Sequence, residues 1–140
     1  NRQSYHYYEF VENNKKFFEN KELRILDTSD GAFAFYSNIG TFHAKGLAGT
    51  AEYLKYLKSI KLKGHIHDVQ NINVLKSYLK YEKIKYVLYY SSYNENFFNN
   101  KCKKSFYEIY NEFNSVNNKK ALIGLIRAND YEKFINFCIT

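Results

Sequence analysis

A chain of 140 residues is long enough for one domain with a core of its own. It carries 21 Lys+Arg against 14 Asp+Glu, a net charge of +7, and the excess is almost wholly lysine because Arg2, Arg24 and Arg127 are the only arginines. No apolar run approaches the roughly 20 residues of a membrane-spanning helix, no signal peptide is visible, and Cys102 and Cys138 are too few for a disulfide scaffold and are expected to be reduced thiols.

Ser4 to Glu12 is rich in aromatics and reads as a strand. Asn13 to Asn20 is polar and basic, a loop or hairpin tip. Glu22 to Thr28 is a second strand, and Asp30-Gly31 is a turn signal ahead of a third, Ala32 to Ser37. From Thr50 the period changes. Tyr53, Leu54, Leu57 and Ile60 share one helical face, Thr50 is a candidate N-cap, and Lys55, Lys58, Lys61 and Lys63 make the opposite face basic. After Gly64, Val74 to Lys80 is a second helical piece. Ile84 to Tyr90 is apolar enough for a central strand, and Ser91 to Asn100 is a polar loop. Lys101 to Phe113 reads as a helix with Phe106, Ile109, Tyr110 and Phe113 on one face. Lys120 to Arg127 is a last strand, and Asn129 to Thr140 a tail, helical or irregular. The expected fold class is α/β: one domain over 1–140, with a mixed sheet of about five strands covered by helices. Its strands would form an N-terminal antiparallel meander, then β-α-β-α-β.

Four of the six glycines lie between Gly31 and Gly49. Lys45 and the amides near Gly46 and Gly49 are placed to meet phosphates, and a helix starting at Thr50 would add its positive dipole end. The lysine precedes the glycines, which is the wrong order for a Walker A loop, and a plain structural turn accounts for the same residues. His65-Ile66-His67-Asp68 has the look of a metal site, but zinc or iron needs three or four converging ligands, and His6 and His43 are distant in sequence. No metal, cofactor or catalytic residue is therefore expected. Basic and aromatic residues interleave at Lys83-Ile84-Lys85-Tyr86, Lys101 to Lys104 and Lys119-Lys120. That fits RNA binding with stacking. It fits a solvated face equally well, because 15 Tyr and 12 Phe with no Trp, Met or Pro is the composition of an AT-rich coding sequence. The missing methionine carries the expectation that the initiator has been removed or that the sequence is partial.

Asp30-Gly31, Tyr36, Gly40, Lys45-Gly46 and Thr50, then Ile84-Lys85-Tyr86-Val87, then Ile126-Arg127 and Asn136-x-Cys138 fall in an order that resembles the small-subunit ribosomal protein eleven family. The likeness runs from about Leu23 to Cys138. Tyr36 stands where that family usually has Trp, Leu47-Ala48 replaces a basic run, and Tyr89 to Asn100 replaces a glycine-rich basic loop. The family's basic tail is missing, and an insertion lies near 63–75. The resemblance implies a fold of the ribosomal protein eleven/L-eighteen type and a structural, non-enzymatic role on the platform of an organellar small ribosomal subunit, mitochondrial or plastid-type. It implies small-subunit rRNA and neighbouring ribosomal proteins as partners, with no membrane and no small-molecule substrate. The RNA contacts it points to are Thr41, His43, Lys45, Gly46, Gly49, Thr50, Lys101, Arg127 and Asn136. The altered loop is expected to meet protein through Phe97 or Phe98. The alternatives are a small enzyme such as an acyltransferase, holding a pyrophosphate at Gly46 to Thr50, and a protein-interaction module.

Overall fold

The computed structural model describes residues 2–19, 23–29, 32–37, 42–43, 55–56, 58–64, 68–94, 104–114 and 119–138. Its elements are α1 (Arg2–Asn13), α2 (Lys15–Phe18), β1 (Ile25–Asp27), α3 (Ala32–Ser37), β2 (Phe42–His43), α4 (Ile72–Tyr81), β3 (Tyr86–Asn94), β4 (Tyr107–Asn114), β5 (Lys119–Arg127) and α5 (Tyr131–Cys138). The fold is α/β, as expected. The sheet has the order β2-β1-β3-β5-β4, in which β2 is only two residues long. It is mixed: β1 pairs parallel with β2 and β3, whereas β5 pairs antiparallel with β3 and β4.

Two apolar layers close the sheet. Leu75, Tyr78 and Leu79 of α4 and Tyr131, Phe134 and Ile135 of α5 pack on one face with Leu26, Val87, Leu122 and Ile126. Tyr7 and Phe10 of α1 and Phe33 of α3 pack on the other with Ile25, Leu88, Ile123 and Leu125. The alternation Ile25/Leu26 and Val87/Leu88 between the two clusters is the period of two that sends successive strand residues to opposite faces.

The antiparallel meander is not what forms. Ser4 to Glu12 lies in α1, because burial there follows a helical period: His6, Tyr7 and Phe10 are buried while Tyr5, Tyr8 and Glu12 face solvent. Packing on the sheet overrides the β-preference of those aromatics. Lys15–Phe18, expected as loop, is a short helix that sends Phe17 and Phe18 against the same core. Ala32–Ser37 is also helical. A strand would put Phe33 and Phe35 on one face, yet Phe33 is fully buried and Phe35 is 79% exposed. The Asp30-Gly31 turn lies outside the described residues.

Two further segments depart from expectation. Lys101 to Phe113 was expected as a helix, but Tyr107–Asn114 is β4. Phe106, Ile109, Tyr110 and Phe113 satisfy a helical period, while Ile109 and Phe113 satisfy a strand period, and the bulge before Ile109 sends Tyr107 to the opposite face. The free edge of β5 decides between them, through a ladder from Tyr107↔Ile126 to Asn114↔Lys120 with a bulge between Tyr107 and Ile109. Ser91–Asn94, expected in a loop, extends β3 along β5. Cys138 is disulfide-bonded, which corrects the reduced-thiol expectation for that sulfur. The strands at Ile25–Asp27 and Lys119–Arg127, the first part of β3 up to Tyr90 and the helix Ile72–Tyr81 fall within a few residues of where the sequence placed them. Of the helix from Thr50, the described residues Lys55, Tyr56, Lys58 and Ser59 are helical.

Candidate functional site

β3 begins and β5 ends at the same edge of the sheet, since Tyr86 pairs with Arg127. Just outside that pair, the Ala128 N–H donates to the Lys85 carbonyl at 2.8 Å. This bond holds the α4–β3 turn beside a 3-10 turn, Ala128–Asp130, that leads into α5. Between them lies a groove of about 660 Å³, within the ~300–1,000 Å³ range of ligand sites.

Lys76, Lys80, Lys83, Lys85 and Lys133 line the groove, and Leu79, Ile84 and Ala128 supply its apolar part. Among the described residues, Glu132 is the one carboxylate in the lining and Asn129 its one side-chain amide. All five lysines are exposed. Lys76 pairs across the groove with Glu132, Nζ to Oε2 3.4 Å. The other four ammoniums have no carboxylate partner within 4.0 Å among the described residues. A concave surface lined mostly by one sign of charge focuses field and concentrates counter-ions, so the electrostatics of this groove favour anions. The same layer continues the charge. Ile60 and Leu62 pack on the α4–α5 core, and Lys58, Lys61 and Lys63 around them are exposed.

The residues expected to touch RNA fall partly outside and partly inside the described part of the chain. Thr41, Lys45, Gly46, Gly49, Thr50 and Lys101 lie outside the described residues. His43 ends β2, in register with Asp27 of β1. Asn136 is an exposed residue of α5. Arg127 is committed within the fold. Its Nε donates to Asp130 Oδ2 at 2.8 Å, and one terminal nitrogen donates to Glu108 Oε2 at 3.2 Å and to the Tyr107 carbonyl at 3.4 Å. The other terminal nitrogen donates to the Ser105 carbonyl. The Asp130 hydrogen bond, followed by that to Glu108, pushes the guanidinium further above its already high range. Arg127 thus ties β4 to the end of β5, and two carboxylates answer its charge.

The sequence alone marks Lys83-Ile84-Lys85-Tyr86 as basic and aromatic interleaving that fits either RNA binding or a solvated face. The groove needs Lys76 and Lys80 from α4 and Lys133 from α5, which only the tertiary fold brings together. The His-x-His-x-Asp element falls partly outside the described residues, and among those described no group of three His, Cys, Asp or Glu side chains could hold a metal ion. No helix among the described residues is long and apolar enough to cross a membrane. No family model, curated protein or solved structure matches the chain. What fold and site define is therefore an α/β domain with a polycationic groove at one end of its sheet.

Glu132→Gln should raise affinity for a polyanion, because it removes a carboxylate from the groove and releases Lys76. The salt slope of RNA binding should steepen by about 0.7. Stability should change by less than about 1 kcal/mol, since the pair is roughly half exposed and screened. Affinity titrations against salt, with melting curves alongside, check both expectations.

Proposed function

We propose that the chain is a non-enzymatic RNA-binding domain that holds the phosphate backbone in its lysine groove. The observation that carries this reading is the convergence of five described lysines on one concavity, with a single carboxylate among the described residues there. Lysine meets phosphate as a point charge, and among the described residues the lining has no arginine or aromatic side chain to read base edges or stack bases. Binding should accordingly be backbone-directed, tolerant of sequence and strongly salt-dependent. The experiment is a titration of labelled single-stranded RNA of mixed sequence at several salt concentrations. A steep negative slope of log affinity on log salt supports the reading; undetectable binding at low salt removes it.

The narrower form of the proposal is a small-subunit rRNA contact in an organellar ribosome. Its elements occur in a different order from those the ribosomal protein eleven resemblance required, so it leans on the basic groove. Co-sedimentation with small subunits from mitochondria tests it, and migration only as free protein rejects it.

A second reading has its own observation. The crossover from β1 to β2 runs through α3 on one face of the sheet, and that from β2 to β3 runs through α4 on the other. Such doubly wound sheets bind small ligands at the carboxyl ends of their strands. Asp27, 1% exposed, stands at that end of β1, with its Oδ1 accepting from the Ser29 N–H at 2.7 Å and from the Ser29 hydroxyl. A small-ligand enzyme would use this end. A thermal shift with nucleotides or coenzyme A that survives high salt favours that reading over RNA binding.

A further inference from the structure

Helix α4 stops in a Schellman motif with lysine in its glycine position. The Ile84 N–H donates to the Leu79 carbonyl at 2.9 Å and the Lys83 N–H to the Lys80 carbonyl at 3.2 Å, the two bonds that define the motif. Leu79 and Ile84 complete it with the apolar contact that accompanies such ends. The residue just before Ile84 must turn left-handed, and Lys83 does so with φ of 53°. Glycine is the usual occupant, because a Cβ is penalised in that conformation. Attraction of a cation to the helix C-terminus does not account for the choice, since Lys80 in the last turn already provides it. Where a strained conformation persists, function is a reason to look for.

Lys83 lines the groove, is exposed and has no carboxylate partner among the described residues. Lys80, Lys83 and Lys85 follow one another from the end of α4 to the start of β3, an order that suits successive phosphates of one strand. We infer that Lys83 is the anchoring phosphate contact of the groove, and that a lysine occupies this glycine conformation because binding requires its charge there. The inference rests on the RNA-backbone reading and names the residue on which that site depends.

The test compares wild type, Lys83→Gly and Lys83→Arg, titrating labelled single-stranded RNA against salt and measuring melting temperature. Lys83→Gly should bind about fivefold more weakly at about 0.1 M salt and lower the salt slope by about 0.7. Its melting temperature should not fall and should rise by up to about 3 °C, since glycine takes the left-handed conformation without strain. Lys83→Arg should keep the affinity and slope of wild type. A Lys83→Gly protein with wild-type affinity and slope overturns this inference alone. Loss of several degrees in that variant assigns Lys83 a structural role and overturns it equally. Wild-type protein that fails to bind RNA at any salt overturns the inference and the RNA reading together.

Discussion

Gly124→Val is expected to destabilise the domain by about 3 kcal/mol or more, enough to leave much of it unfolded. Gly124 sits in β5, between Tyr89 of β3 and Tyr110 of β4. A Cβ added there would run into ring atoms of Tyr107 and approach the Ile109 carbonyl at 3.1 Å. The ring cannot simply swing away. It is 5% exposed and packs against Phe134 at 5.7 Å and Tyr110 at 5.8 Å between ring centroids. β4 bulges at this point, between Tyr107 and Ile109, so the backbone that carries the ring is already fitted to the gap. Gly124→Ala should cost about 1–3 kcal/mol. In the double variant with Tyr107→Ala the penalties should not add, because the clash partner has gone. Urea denaturation of wild type, Gly124→Val, Tyr107→Ala and their double variant, with Gly124→Ala alongside, measures this. A wild-type midpoint for Gly124→Val would mean that Tyr107 does not lie over the glycine.

The largest expected effect on binding comes from neutralising three groove lysines at once, none of which has a carboxylate partner among the described residues. Lys80→Gln, Lys85→Gln and Lys133→Gln together should lower the salt slope for single-stranded RNA by about 2 and weaken affinity about 100-fold near 0.1 M salt. The melting temperature should hold or rise, because like charges gathered on one surface repel one another in the free protein. The pairing of these outcomes matters: a triple variant that loses RNA binding and also unfolds would speak of damage rather than of a binding site.

What was legible in the sequence was what one segment decides for itself. Ile72–Tyr81, with Leu75, Tyr78 and Leu79 on one helical face, needed no partner to be recognised, and neither did the apolar runs in β3 and β5. What was misread was decided elsewhere in the fold. Phe33 and Phe35 alternate like strand residues until α1 covers one of them. Tyr107–Asn114 fits both periods until the edge of β5 claims it. The groove was the least legible part. Its lysines come from α4, from the α4–β3 turn and from α5, and none of these segments is a motif. One local signal was available: a lysine standing where a helix of this kind ordinarily ends in glycine. It becomes readable only once the helix end at Lys83 is fixed.

The central claim is that polyanions bind in the lysine groove, and lysine footprinting tests it most directly. The protein is acetylated briefly with and without single-stranded RNA, and each lysine is followed by mass spectrometry. Lys76, Lys80, Lys83, Lys85 and Lys133 should be protected by RNA. Lys15 and Lys16, on α2 across the sheet, should react as before. Groove lysines that stay fully reactive while Lys15 and Lys16 become protected would contradict the account.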